Sequence, residues 1–542
     1  MQWFALSRSH RPWQAAMMMA VIFGAASTFP HGAAGQVPTS QYDNARTGAY
    51  LAETTLTPGN VNARQFGKIF TFQVDGDVYA QPLYMANVPV PGKGTHNLIF
   101  IATEHDSVYA FDADGKQTEP IWQVSFLQPG LSSGRTTLSE GEVDCPFITP
   151  EIGITSTPVI DTHTGTLYVL ARTKDNTGMF SSHHMQRLHA LAVTTGAEKF
   201  GGPVEIHAST PGRGAGSGNG RVVFDQLREN PRAALLLANG SVYLSWASSC
   251  DVGPYHGWVI SYDAQTLKQE GAFNTSPDAD DSGIWAGDAG PAADKDGNVF
   301  VATGNGAFDA IKGGRDYGDS MLKLSPVTLG LRDYFTPFDQ ETLNDNDADL
   351  GSGGPVLLPE EKGAHPHMLL VAGKGGRLYL IDRDKMGKFQ AQNDSHAVQT
   401  LELKGGVFGA PAYWNRNVYV LASDDVLRDF QLDNGKLSLK SSASGTPFID
   451  PGATPTVSAN GTNNGVVWVI ASKGWRSADR SAVLHAYDAT NVARELYTSE
   501  QNAARDQAGK ALRFSIPTVV NGRVYVGAKK EIDVYGLLPA GK

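Results

Sequence analysis

Apolar and polar residues alternate along this chain in short runs that never sustain a helical period. Most runs are four or five residues rich in Val, Tyr, Leu and Ile, bounded by Gly, Asn, Asp or Pro, the pattern of strands separated by turns. The runs recur in a fixed order. A short strand opens near a proline, a second is nearly all apolar, and a third commonly ends in an aromatic and an acidic residue. The first strands are marked by Pro82, Pro158, Pro291, Pro355, Pro411, Pro455 and Pro517, with Ala233 to Leu237 as a degenerate copy. The third strand is plainest at Val108 to Asp112, Val259 to Asp263, Leu378 to Asp382 and Leu484 to Asp488. Segments beginning at Ile121, Arg332 and Arg494 supply a fourth, outer strand.

Eight copies of four strands predict an all-β protein, an eight-bladed β-propeller of four-stranded blades. A blade packed between neighbours on both faces explains second strands that are apolar throughout. The last copy ends at Leu537 and Leu538 without a fourth strand, and Lys68 to Val74 is a strand without preceding partners. Placing Lys68 to Val74 as the outer strand of the last blade closes the ring; the alternative is seven blades and an appended hairpin. The predicted organisation is a signal peptide at 1–35, a lead-in at 36–67 and one propeller domain at 68–538. The polar lead-in is expected to lie on the surface. Long excursions at Gln128 to Ile154, Lys174 to Gln186, Ala208 to Asn230, Gly306 to Asp319 and Phe338 to Ser352 mark the early blades as the place to look for function.

Composition changes this picture in three ways. A formal charge of -11 without Lys/Arg clusters argues against nucleic acid as a partner. Arg8 and Arg11 before the apolar run from Trp13 to Phe29, with small residues at 32–35, predict export to the periplasm or medium and no transmembrane span in the mature chain. The two cysteines, Cys145 and Cys250, then meet an oxidising compartment and are expected to be bonded, the alternative being two buried thiols.

The strand triplets ending in Tyr-Asp or Phe-Asp resemble the repeat of the quinoprotein alcohol dehydrogenases, eight-bladed propellers, and of the outer-membrane assembly propeller related to them. Three stretches resemble the dehydrogenases specifically. Trp285 lies upstream of a strand, like the tryptophan on which that family stacks pyrroloquinoline quinone (PQQ). Thr303-Gly304-Asn305 matches a Thr-Gly-Asn whose asparagine oxygen binds calcium. Met368 to Met386, with Lys374 between glycines, resembles the segment whose cation contacts the quinone. The resemblance implies an oxidoreductase acting on an alcohol or sugar, with PQQ and calcium as cofactors. It also implies Trp285 and Lys374 on the quinone, Asn305 on calcium with Asp251 in the place of the family's glutamate, and Asp347 or Asp349 as the base that accompanies hydride abstraction. The three carboxylates of PQQ call for a further cation, for which Arg172 is the candidate. Each role has a physical reason: an indole packs on a flat heterocycle, amide and carboxylate oxygens suit calcium, and a cation polarises a quinone oxygen.

The chain also departs from that pattern. It has no adjacent cysteine pair, and Asp251 stands near where the family has a calcium-binding glutamate. With no Cys-x-x-Cys-His, no haem is implied. The other reading is therefore a non-catalytic propeller binding an envelope protein or glycan instead of a small-molecule substrate. Every candidate also has an ordinary explanation: Trp285 as inter-blade packing, Asn305 as a left-handed turn residue, Lys374 as an exposed hairpin lysine, and Asp347 with Asp349 as a solvated acidic loop. The acidic loop at 344–351 lacks the glycine and closing glutamate of an EF-hand. His183 with His184, and His365 with His367, lack the further partners a zinc site needs.

Overall fold

The computed structural model describes residues 1–2, 35–130, 133–178, 181–287, 289–477 and 479–539. The predicted export segment therefore lies outside the described residues, save for 1, 2 and 35. Among the described residues eight antiparallel blades follow one another along the chain, each with its first strand innermost, and a separate two-stranded sheet pairs Ser209–Pro211 with Arg221–Val223. Blade 1 is Leu83–Val90, Gly94–Ala102, Ser107–Asp112 and Trp122–Ser125; blade 5 is Val356–Leu357, Met368–Ala372, Arg377–Asp382 and Gln399–Glu402. Second strands are buried over their central residues, and Met368–Ala372 and Ser241–Trp246 are buried over their whole length. No helix among the described residues is long and apolar enough to cross a membrane.

The repeat has a local cause. Where a third strand ends in an aspartate, that side chain accepts backbone N–H groups of the turn that follows, as Asp112 does from Asp114 at 2.9 Å, Asp263 from Thr266 at 2.7 Å and Asp488 from Thr490 at 2.9 Å. These are Asx turns, which aspartate forms with its own chain two or three residues on. Second-strand tyrosines then fasten neighbouring blades. Tyr168, Tyr419 and Tyr525 donate to the carbonyls of Ala264, Ala489 and Ala113, at 2.6, 2.6 and 3.0 Å, each one residue past such an aspartate.

The ring closes as the sequence predicts. Phe66–Gln73 pairs antiparallel with Glu531–Leu537, Lys68 opposite Tyr535 and Gln73 opposite Glu531, so the last blade takes its outer strand from the start of the chain. Phe72 then stacks on Phe111 of blade 1 at 4.4 Å. Seven blades with a free hairpin are excluded. The excursion at 174–186 is no loop: it extends two strands, Thr166–Gly178 and Ser181–Ala192, into a long hairpin.

The first part of the lead-in departs from its predicted place on the surface, whereas most of 51–65 lies there. Residues 36–50 run through the centre of the ring and bond to the innermost strands or their approaches in all eight blades. Gln36–Val37 pairs with blade 1, Pro38 O accepts from Ile160 of blade 2, and Arg46 donates to Leu235 and Pro291 of blades 3 and 4. Ala45, Thr47 and Gly48 accept from Leu357, Tyr413 and Val457 of blades 5, 6 and 7, and Tyr42 donates to Pro517 O beside blade 8. Gln41 and Arg46 are fully buried. A polar stretch can be buried when strand edges around it supply partners for its backbone, as here, and for side chains such as that of Arg46, although the Gln41 side-chain amide makes no hydrogen bond. The first strands of a propeller are edges facing the axis, and the plug satisfies them.

Candidate active site

Connections entering the first strands, and turns between second and third strands, gather at one end of the ring. They enclose a cavity of about 360 Å³, walled also by the insertion that follows blade 1. Residues just before the first strands line it, whereas residues within those strands grip the plug.

Trp285 comes from the approach to blade 4, half-buried, with Tyr255 edge-on at 6.3 Å and 72°. The Tyr255 hydroxyl donates to Asp251 Oδ1 at 2.8 Å. The Thr-Gly-Asn turn of blade 4 runs beside this indole. A Cβ on Gly304 would stand 2.1 Å from Asp349 Oδ1 and 2.8 Å from Trp285 Nε1, so only glycine permits the approach. The next residue, Asn305, donates its backbone N–H to Asp349 Oδ1 at 2.7 Å and its side-chain amide to Asp347 Oδ1 at 2.9 Å. Its own Oδ1 is buried and accepts no hydrogen bond. Nor does Asn305 adopt the left-handed backbone of an ordinary turn asparagine.

Lys374, on the turn of blade 5, completes the network. Its Nζ is 2.6 Å from Asp347 Oδ1 and 2.5 Å from Asp349 Oδ2. It is no exposed hairpin lysine. Burial works against its charge, but Asp349 and Asp347 outweigh that and raise its pKa. The acidic loop divides in two: the Asp349 side chain is 3% exposed and that of Asp347 68%. Burial raises the Asp349 pKa against the opposing pull of Lys374 and the Asn305 N–H. Nearby Asp281 is pushed up to about 7, first by burial and then by Asp280, Asp251 and Asp349.

Of the residues expected here, Trp285, Asp251, Asp347, Asp349 and Lys374 line the cavity, and Asn305 is bonded to two of them. Arg172 does not reach it. Fully buried, Arg172 donates to Leu227 O and, at 3.4 Å, to Asn230 Oδ1, so it stands behind Asn230, which does line the wall. The cysteines are bonded, and both line the cavity. The bond ties the insertion after blade 1 to the blade 3 turn, so the pocket has a disulfide in its wall although the chain lacks adjacent cysteines. Sequence reasoning missed Arg232, Trp475, Arg476, Arg513 and Phe514, which also line it. The available signal was position: Arg513 and Phe514 precede a repeat proline as Trp285 does, and Trp475-Arg476 occupies the turn equivalent to that of Lys374.

Among the described residues no three His, Cys, Asp or Glu side chains are grouped to hold a metal ion. His365 and His367 instead pair separately with Asp382 and Asp384, at 2.7 and 2.8 Å. The hard oxygens of the lining are the carboxylates of Asp251, Asp347, Asp349 and Asp450, and the partnerless Asn305 Oδ1 belongs to the residue bonded to two of them.

No protein-family model and no curated protein sequence matches this chain. Solved structures do. A quinohemoprotein alcohol dehydrogenase, ADHIIG of Pseudomonas putida HK5, aligns with 94% of this chain and 81% of its own at a TM-score of 0.61 and 14% identity. A europium-containing methanol dehydrogenase aligns with 93% of this chain and 98% of its own at 0.59 and 13% identity. The chain thus shares the eight-bladed propeller fold of quinoprotein alcohol dehydrogenases.

Proposed function

We propose that the protein is an exported PQQ-dependent oxidoreductase acting on an alcohol or sugar. The observation that carries this is the convergence of Trp285, Asp347, Asp349, Lys374 and the Cys145–Cys250 bond on one cavity. The residues fit the cofactor. An indole face with an unpartnered Nε1 suits a flat heterocycle. Lys374, held in place by two carboxylates, supplies a positive charge where a quinone oxygen would lie. PQQ, when bound, supplies an acceptor for the two electrons and two protons that an alcohol gives up.

The chain's own groups divide the remaining work. Asp349, buried between Lys374 and the Asn305 N–H, fixes the position of both. Asp347 keeps an exposed carboxylate within the same network and is the group open to a substrate hydroxyl, whose proton it would take. For calcium, Asn305 Oδ1 with Asp349 and Asp251 offers hard oxygens, and the quinone would complete the shell. A disulfide in the wall accords with an oxidising compartment.

Isothermal titration of the purified chain with PQQ, in calcium chloride, tests the reading. Saturable heat is expected, and reduction of an artificial dye by an added alcohol or sugar should follow. Trp285→Ala should weaken PQQ binding by about 1–3 kcal/mol, taking base–aromatic stacking as the guide. No heat at high micromolar PQQ would overturn the proposal and leave a propeller that binds an envelope protein or glycan.

A further inference from the structure

The cavity is divided by charge. Its acidic half is built by the approaches and turns of blades 3 to 5, with Asp251, Asp347, Asp349 and Lys374, while Arg232, before blade 3, reaches to the other half, 4.6 Å from the Phe514 ring centre. Across an eight-membered ring blade 8 faces blade 4, and this opposite half is built by Arg513 and Phe514 before blade 8, Trp475 and Arg476 on blade 7, and Phe147 on the insertion after blade 1. The Arg513 guanidinium lies 4.4 Å from the Phe147 ring centre, 4.7 Å from Trp475 and 5.0 Å from Phe514. Arg476 lies 4.9 Å from Trp475. Phe147 meets Trp475 edge-on at 5.5 Å.

This arrangement has a chemical meaning. Rings that hold a guanidinium by its face fix the plane of its fork, and that fork matches a carboxylate with two parallel hydrogen bonds. The same rings form an apolar wall suited to a flat body. Only Asp450 adds an acidic side chain to this half of the lining. The quinone assigned above belongs to the other half, beside Trp285 and Lys374. Resting on that assignment, we propose that Arg513 and Arg476, framed by Phe147 and Trp475, form the substrate's carboxylate subsite. The substrate is then an alcohol bearing a carboxylate on a flat, ring-containing body, with its hydroxyl directed across the axis to Asp347.

A matched pair of probes tests this: 4-(hydroxymethyl)benzoate and benzyl alcohol, titrated calorimetrically into the full chain with PQQ and calcium and again without PQQ. The carboxylated probe is expected to bind the loaded protein about tenfold tighter or more, as a charge-assisted bidentate contact allows. Arg476→Gln, at an exposed position, and Arg513→Gln should each remove most of that advantage while PQQ affinity stays unchanged. Arg513→Lys should restore only part of it. Equal affinity for the two probes overturns the subsite. So does a parallel loss of PQQ affinity in both arginine variants, which would give these arginines to the cofactor's own carboxylates. Binding of the carboxylated probe without any binding of PQQ supports the anion subsite and overturns the quinone reading instead.

Discussion

The ammonium of Lys374 lies 2.5 Å from Asp349 Oδ2, although one sits on a turn inside blade 5 and the other on the loop leading into that blade. Asp349 is nearly sealed from solvent, and Lys374 is its only cationic partner among the described ion pairs. Removing the lysine therefore strands a buried carboxylate, a change that costs about 3–5 kcal/mol when uncompensated. Lys374→Ala should lose a large part of that in urea unfolding, and Lys374→Ala with Asp349→Asn should recover much of it. Additive losses in the double variant would show that the two residues act independently.

The Cys145–Cys250 bond closes a loop of 105 residues, for which the chain-entropy account gives about 4–5 kcal/mol. Peptide mapping without reductant should return one crosslinked pair. Replacing both cysteines by serine should lower the unfolding midpoint and weaken ligand binding together, because the bond anchors the segment carrying Val143, Phe147, Ile148 and Ile152 to the cavity wall. Lost stability with unchanged affinity would mean that the wall keeps its shape without the bond.

The propeller was legible because its signals are local. Proline-marked first strands, apolar second strands and turn-capping aspartates each follow from short-range chemistry, and Lys68 to Val74 declared itself by lacking partners. The site was legible only where a motif repeats a neighbourhood, as in Thr303-Gly304-Asn305. Arg172 misled because a cation near a predicted mouth can equally be a buried support, here for Asn230 and Leu227. The arginine–aromatic half could not be read from motifs, since Phe147, Trp475 and Arg513 are far apart in sequence and meet only because the ring closes. Burial of the lead-in was hidden for a similar reason: its partners are the edges of strands from every blade.

That burial changes what truncation should do. Deleting 36–50 should aggregate or unfold the protein nearly as severely as deleting Phe66–Gln73, because both expose strand edges. Within the plug, Arg46 donates to Pro291 O at 2.9 Å, Thr39 Oγ1 at 2.7 Å, Ser40 O at 2.7 Å and Leu235 O at 3.0 Å. Arg46→Ala leaves those buried acceptors without it, at about 1–3 kcal/mol for each one left unsatisfied. A loss of under about 1 kcal/mol in denaturant unfolding would show that the plug is dispensable.

Glu104, on the turn of blade 1, gives a prediction in pH. Its Oε2 accepts from Gly153 N at 2.8 Å and Thr155 Oγ1 at 3.1 Å, whereas Oε1 is buried without a hydrogen bond. Burial, with Asp77 adding to it, pushes this carboxyl up to about 7 against the opposing hydrogen bonds. A carboxyl raised in the fold is costly when ionised. The cost is absent below the unfolded value near 4.5, grows as pH rises towards 7 and is complete above it. A rise of this size corresponds to roughly 3 kcal/mol. Glu104→Gln keeps an oxygen for Gly153 and Thr155 and removes the ionisation. It should therefore raise the melting temperature by a few degrees at pH 8 and leave it unchanged, or slightly lower, at pH 5. A gain that is the same at both pH values would overturn the assignment of a raised carboxyl, since a neutral packing effect does not titrate.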